Sequence, residues 1–397
     1  MSDKQILNIL PKLRFPEFVD NKRWSYVHGN ELFVPIVNKN HNSDLPVLAI
    51  TQDQGAVPRK LIDYNVIVSE KSIAGYKVVD VGDFIISLRS FQGGIEYSNY
   101  KGLCSPAYII LRKKDETICN DFYRYYFKSY QFIQDLNRNL EGIRDGKMIS
   151  YQQFSEMLIP YPPLTEQHRI ANCLSSINEC LRVANEKQKL LKEHKKSLMQ
   201  KLFPQNGRTV PEYRFPEYVN ENEWEEKKVA DIFTVTRGRV LAASLTRVNP
   251  DNEYCYPVYS SQTTNNGLMG FYNEALFEDA ITWTTDGANA GTVRFRKGKF
   301  FCTNVCGVLL SEKGYANEFI AAFLDTKTKQ YVSLVGNPKL MNNVMAEISI
   351  CIPNIAEQKK LATCLSSIER LIVAYSNKIV LLEQQKTGIM QLLFPKP

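Results

Sequence analysis

The feature that most constrains this chain is that it is written twice. Residues 11–18 read PKLRFPEF and residues 211–218 read PEYRFPEY, each followed six residues later by a tryptophan, Trp24 and Trp224. Near the other end of each copy, EQHRIANCLSSI (166–177) matches EQKKLATCLSSI (357–368), and the match runs on to KLFP (201–204) and LLFP (392–395). At an offset of 191, residues 166–204 and 357–395 are identical at 17 of 39 positions. The starts lie 200 residues apart and the ends 191, so the first copy is about nine residues longer, in its middle. A period near 190 is far above the 20–50 residues of stacked repeats, which excludes a solenoid.

Identity is confined to the edges of each copy. The middles, roughly 25–150 and 225–340, have little in common. A duplicated frame thus carries two divergent inserts. The frame stays the same while the inserts differ.

The frame is helical. In PPLTEQ, Pro162 and Pro163 precede a start at which Thr165 is the expected N-cap and Glu166 meets the positive end of the helix dipole. No Gly or Pro follows before Phe203, so one helix of about 57 Å fits at 1.5 Å per residue. Leu174, Ile177, Leu181, Ala184, Gln188, Leu191, Lys195, Leu198 and Leu202 alternate by three and four. Leu365, Ile368, Ile372, Tyr375, Ile379, Leu382, Lys386, Ile389 and Leu393 keep the same register in the second copy. Such a sustained stripe predicts a coiled coil. Lys195 and Lys386 fall at equivalent seam positions; a buried stem with a water-facing head is favoured there over a register-setting role. Pro204 and Pro395 stop the helices.

Two equal helices, one closing each copy, most simply pair with each other. The C-terminal LFP resembles the segment that elsewhere leads into PEYRFPEY, and the N-terminal PKLRFPEF reads as its continuation. The arrangement is cyclic. It predicts antiparallel helices, pseudo-twofold symmetry and chain ends close in space. The inserts are strand-rich: 78–88, 107–113, 254–261, 280–285, 292–301 and 305–311 are short β-branched or aromatic runs. Helices are expected at 120–138 and 316–331. Each insert is then a small α+β domain.

Composition enters through what it excludes. No apolar run approaches the length that spans a bilayer, and MSDKQILNIL lacks a secretory signal, so the expected location is cytoplasmic. Nine scattered cysteines and four histidines give no zinc-knuckle spacing; reduced, mostly buried thiols are expected. The P-loop, the GxGxxG turn, the N-P-P-[YF] tetrad of adenine methyltransferases, the GxSxG elbow and HExxH are all absent. His168 has Lys359 as its counterpart, which points to a solvated helix residue. No catalytic or metal-binding residue is assigned.

What remains informative are polar, Gly-rich loops at matching positions. SLRSFQGGIEYS (87–98) and TTDGANAGTVRFR (284–296) each follow an Asp-led apolar strand, with Asp83 and Asp279. TQDQG (51–55) and SQTTNNG (261–267) lie upstream; GIRDGKMIS (142–150) and GNPKLMNN (336–343) lie nearer the helices. Arg, Lys, Gln, Asn, Ser and Thr read base edges and hold phosphates, and Gly permits close approach. A solvated turn uses the same letters, so a single loop decides nothing. Recurrence at matching positions with different letters is what two readers of two different sequences would show.

Taken together, the duplicated PxLRFPE(F/Y) motif, the SLRSFQGGI and TTDGANAGT loops and the P-x-x-EQ-x-x-(I/L)-A-x-CLSSI helices ending in LFP resemble the specificity subunit of type I restriction–modification enzymes, over essentially the whole chain. The resemblance implies an α+β protein. Two α/β target-recognition domains, 1–165 and 206–356, would be separated by two long conserved helices, 166–205 and 357–397, in an antiparallel coiled coil. Each domain would read one half of a bipartite double-stranded DNA target. The helices would set the spacing, matching half-sites about 34–36 Å apart, and hold two methylation subunits, with Glu166, Gln167, Glu357 and Gln358 as partner-binding positions. Those subunits flip and methylate adenine N6; two restriction subunits complete the nuclease. S-adenosylmethionine, ATP and Mg2+ are then expected in the partner subunits and no cofactor in this chain.

The DNA contacts expected on this reading are Arg89, Ser90, Gln92, Arg144 and Lys147 in the first domain and Gln262, Thr284, Thr285, Asn289, Lys339 and Asn342 in the second. The chain carries 49 Lys+Arg against 42 Asp+Glu, or +7. The two helices account for +4 and +2 of that excess, which reads either as a solvated charged face or as attraction to DNA and acidic partners. A coiled-coil scaffold that binds only proteins, and a self-sufficient methyltransferase or nuclease, are the competing readings.

Overall fold

A computed structural model describes residues 10–394 except 22, 43, 63–72, 139–148, 206–207 and 263. The chain divides into two compact units, Met1–Ala184 with Lys378–Pro397, and Asn185–Asn377.

In the first unit, β1 (Ser25–His28) leads through the short helix α1 (Gly29–Leu32) into β2 (Phe33–Ile36), followed by the hairpin β3 (Leu48–Thr51) and β4 (Gly55–Pro58). Then come β5 (Lys77–Val79), β6 (Phe84–Ile86), α2 (Ser90–Gly93), β7 (Glu96–Tyr97), β8 (Gly102–Cys104) and β9 (Ile109–Lys113). Helices α3 (Asn120–Tyr126), α4 (Tyr130–Arg138) and α5 (Tyr151–Glu156) precede β10 (Leu158–Tyr161) and the long helix α6 (Leu164–Leu202). The main sheet has the order β2-β9-β6-β7, antiparallel throughout, and β1 pairs with β10. Its core is aromatic. Phe33 lies 5.4 Å from Phe84 and 5.2 Å from Tyr123, both edge to face, the arrangement that ring quadrupoles favour.

Two expectations are refined here. The run 78–88 is two strands in different sheets, because Gly82 (φ +95) turns the chain and the Asp83 carboxylate accepts the Asp80 amide. The helix at 120–138 is two helices. It breaks at Ser129, whose hydroxyl accepts the Phe132 amide and so caps a new start.

The second unit runs β11 (Glu225–Lys228), α7 (Val229–Ile232), β12 (Thr234–Arg237), β13 (Tyr256–Tyr259), β14 (Leu268–Tyr272), β15 (Phe277–Thr284), β16 (Val293–Cys302) and β17 (Cys306–Leu310). Helices α8 (Glu318–Lys327) and α9 (Asn342–Glu347), strand β18 (Ser349–Ile352) and the long helix α10 (Ile355–Leu393) follow. The sheet order is β12-β17-β15-β16-β13-β14. Its first four strands repeat the order β2-β9-β6-β7, so the dissimilar inserts share a plan, and β13 and β14 extend it. The helix expected at 316–331 ends at Lys327 and continues as a 3-10 turn.

The long helices behave as the heptad pattern requires. All nine seam positions in each helix are buried or half-buried. Within the first unit, Ile170, Ala171 and Leu174 of α6 share a core with Leu393 of α10; within the second, Leu361 and Leu365 of α10 share a core with Leu202 of α6. The start of one helix packs beside the end of the other in both units, so they are antiparallel. Lys195 does more than expose its head, since its ammonium meets Glu369 of the facing helix at 2.7 Å. Thr165, the expected N-cap, lies inside the first turn. The cap position is Pro163, whose carbonyl accepts the Gln167 amide at 3.0 Å, and Asn354 holds the equivalent place in the second copy.

The cyclic expectation is met within the first unit. The Leu13 amide donates to the Leu392 carbonyl at 3.1 Å, the counterpart of Tyr213 to Lys201 at 2.9 Å in the second. Phe394 then packs on Phe122 and Tyr126 as Phe203 packs on Phe319 and Phe323.

All nine cysteines are unpaired; four are buried, while Cys180 and Cys255 are exposed. No described helix is long and apolar enough to cross a membrane.

Candidate nucleic-acid interface

The frame motifs turn out to be internal staples. Arg14 Nε and Nη2 donate to the two oxygens of Glu166, each at 2.8 Å, and Arg214 does the same to Glu357 at 2.9 and 2.8 Å. A bidentate fork of this kind is geometrically specific. Gln167 accepts the Cys119 amide at 2.8 Å and donates to the Thr117 and Pro162 carbonyls; Gln358 donates to Pro353 and accepts from Asn317, the N-cap of α8. Expected on a partner-binding surface, Glu166, Gln167, Glu357 and Gln358 are instead buried. The pair serves the same purpose in both copies: the Glu fastens the helix start to the RFPE motif of the frame, and the Gln fastens it to the insert. A second, exposed pair joins Glu17 to Arg169, which covers Phe15, and Glu217 to Lys360, which covers Phe215.

The variable loops come together within each unit. In the first, the β3–β4 turn meets the loop after β6: Gln52 Nε2 lies 3.5 Å from Gln92 Oε1. The Lys128 ammonium clamps both loops by donating to the carbonyls of Gln52 (3.1 Å) and Gly93 (2.9 Å) and to Glu96. Burial pushes the Glu96 carboxyl up to about 7 and the Lys128 ammonium down. Arg89 and Gln92 are exposed, and Arg89 makes no ion pair among the described residues. Ser90 is a correction. It is buried, its hydroxyl accepts the Ser87 amide at 2.9 Å, and it shapes the loop rather than facing a ligand. Arg144 and Lys147 lie outside the described residues.

In the second unit the equivalent loops also meet. Asn289 Nδ2 donates to the Ser261 carbonyl at 3.4 Å. The third loop joins them, because Gly287 donates to Pro338 and Leu340 to Thr285, both at 2.9 Å. Asp286 lies between Arg237 (3.0 Å) and Lys339 (3.9 Å). Gln262 and Lys339 are exposed, Asn289 and Asn342 half-buried, and Asn342 donates to the Thr236 carbonyl at 3.3 Å. Thr284 and Thr285 are corrections: both are buried, and the Thr285 hydroxyl donates to Asp286 while accepting from Arg237. They hold the strand end that carries the loop.

Sequence reading missed Lys128, Glu96 and Arg237. Lys128 follows an aromatic helix and Arg237 ends a strand, so neither stands in a Gly-rich loop; Glu96 lies within the loop 87–98 but is a carboxylate, not one of the donor side chains chosen for DNA contact. Only tertiary contact links Lys128 and Arg237 to the loops. Among the described residues, no group of three or more His, Cys, Asp or Glu is placed to hold a metal ion.

The family model of the type I restriction modification DNA specificity domain matches twice, over residues 28–193 and 221–384. This chain belongs to that family. The two matches contain both sets of loops. It is similar to the MpnII specificity subunit of Mycoplasma pneumoniae, 38% identical over 151 residues, which is 37% of this chain and 44% of that one. It is also similar to the MjaVIII specificity subunit of Methanocaldococcus jannaschii, 22% identical over 356 residues, covering 80% and 79% of the two chains. The solved S subunit of a type I system from M. genitalium shares the fold, with a TM-score of 0.65 at 17% identity, covering 97% of this chain and 99% of that one. The chain is therefore a type I specificity subunit with two DNA specificity domains.

Proposed function

We propose that each unit reads one half of a bipartite double-stranded DNA target through its paired loops, and that the chain itself is non-catalytic. One observation carries this reading: the same two loops meet in both units, on the same strand plan, with different side chains. Gln52 and Gln92 stand in one unit where Ser261 and Asn289 stand in the other. Arg and Lys suit guanine, Gln and Asn suit adenine. The long helices set the spacing of the half-sites and assemble two methylation subunits and, in the full nuclease, two restriction subunits. Adenine N6 methylation or cleavage then takes place on those partners, which bind S-adenosylmethionine, ATP and Mg2+.

In the complex with methylation subunits, Arg89→Ala or Asn289→Ala should lower methylation of the native target by roughly 10- to 100-fold, the value of one base contact. Subunit assembly should be unchanged. Mapping methylated adenines in exposed DNA gives the readout, and native modification by both variants would count against the assignment.

With the four Glu and Gln side chains buried, the partner surface falls to exposed apolar residues of the helices, Leu371 and Val373 in the second unit and Val380 and Leu381 in the first. Leu371→Glu should release a methylation subunit in size-exclusion chromatography while leaving the unfolding curve within about 0.5 kcal/mol of wild type. Intact assembly would move the docking surface elsewhere.

A further inference from the structure

Residues 333–339, SLVGNPK, form a hairpin whose tip the polar-loop reading leaves out. The Ser333 amide donates to the Lys339 carbonyl at 2.8 Å and the Lys339 amide returns to Ser333 at 3.0 Å. Gly336 takes the left-handed conformation (φ +74) that closes the turn. The base is braced: Pro338 accepts from Gly287, and the buried Leu340 donates its amide to Thr285 while its carbonyl accepts the Trp283 indole at 3.0 Å. On this held hairpin, Leu334 is 77% exposed and Val335 92% exposed.

Two neighbouring apolar side chains in water contribute nothing to folding. Two side chains are also far too small an area to dock a protein by themselves. Their surroundings suit another occupant. Lys339 stands at the hairpin base, with Arg237 across Asp286, which leaves one positive charge in excess, and the amide of Asn342 lies just beyond. Cations at the foot of an apolar tip match the DNA major groove, where phosphates flank base edges and thymine offers a methyl group. The groove also admits a two-stranded ribbon.

We propose that Leu334 and Val335 are specificity-determining residues that contact thymine 5-methyl groups in the half-site read by the second unit. This rests on the DNA-reading role proposed above. The test uses the full chain assembled with methylation subunits and its mapped target. Binding is followed by fluorescence anisotropy on duplexes in which each thymine of that half-site is replaced in turn by uracil, which lacks only the methyl.

At one position or more, the wild-type complex should bind about fourfold more weakly to uracil, the value of one buried methyl. The Leu334→Ser/Val335→Ser variant should bind the thymine duplex roughly tenfold more weakly and ignore that uracil. Both sites are exposed, so the variant keeps its fold. Indifference of the wild type to every uracil, or a variant with wild-type affinity and uracil response, overturns the proposal. So does a variant that binds DNA normally but sheds methylation subunits, which would assign the tip to a protein partner. A wild-type complex that does not prefer its target to a scrambled duplex overturns the DNA-reading role itself, an outcome distinct from these.

Discussion

Arg14→Ala should destabilise the first unit by about 3–5 kcal/mol, the cost of breaking a buried ion pair from one side. The Arg14 and Glu166 side chains are almost wholly buried, and the guanidinium satisfies both carboxylate oxygens while Nη1 reaches the Asn21 carbonyl at 3.1 Å. Removing it leaves a carboxylate in the interior without a partner. The loss comes from that stranded charge more than from the lost attraction. The paired replacement Arg14→Met with Glu166→Leu should therefore recover most of the stability, because no charge is left behind. Urea unfolding gives the free energy, and amide hydrogen exchange localises the change to the first unit. Arg214→Ala should act alike on the second unit through Glu357. An Arg14→Ala variant within about 1 kcal/mol of wild type would mean that the staple is ornamental.

Gly94→Ala should cost about 3 kcal/mol or more and, with it, recognition by the first unit. Gly94 ends α2 at φ +81, and a Cβ there would sit 1.9 Å from the backbone carbonyl oxygen of the buried Phe127. The left-handed backbone alone costs a side chain about 1–3 kcal/mol. The clash adds to that, because a carbonyl followed by Lys128 and Ser129 cannot rotate away without disturbing the clamp on both loops. Gly287→Ala is the matched control. It has φ +93 but nothing within 4 Å of the added methyl, so backbone strain of about 1–3 kcal/mol is all it should show. Equal effects from the two substitutions in thermal unfolding would refute the role given to the Phe127 contact.

The helical frame was legible because a heptad is a local code. Every seam position from Leu174 to Leu202 and from Leu365 to Leu393 could be counted along the chain, and all of them are buried or half-buried. The strand runs were legible for the same reason, since each is a few consecutive residues. Where Ser129 and Gly82 broke a run, the cause was again local but competed with a longer apolar pattern. The site was legible only as loops. Arg89, Gln92, Gln262, Lys339 and the half-buried Asn289 and Asn342 keep positions from which a ligand can be met, whereas Ser90, Thr284 and Thr285 carry the same polar letters turned inward. Hydroxyls serve both uses, and which one holds depends on a partner such as Ser87 or Asp286.

The sequence by itself determined the duplication, the two long helices with their shared register, the cyclic relation of the ends and the places where two variable inserts must differ. Those follow from periodicity and repetition along the chain. Only the tertiary structure decided that the EQ motif is an inward staple for Arg14 and Arg214, and that Lys128 and Asp286 organise the loops. It also showed that an apolar hairpin tip stands beside the loops of the second unit. A charged side chain reads the same whether its partner is water, DNA or an arginine 152 residues away, and burial, which settles the choice, is a property of the folded neighbours.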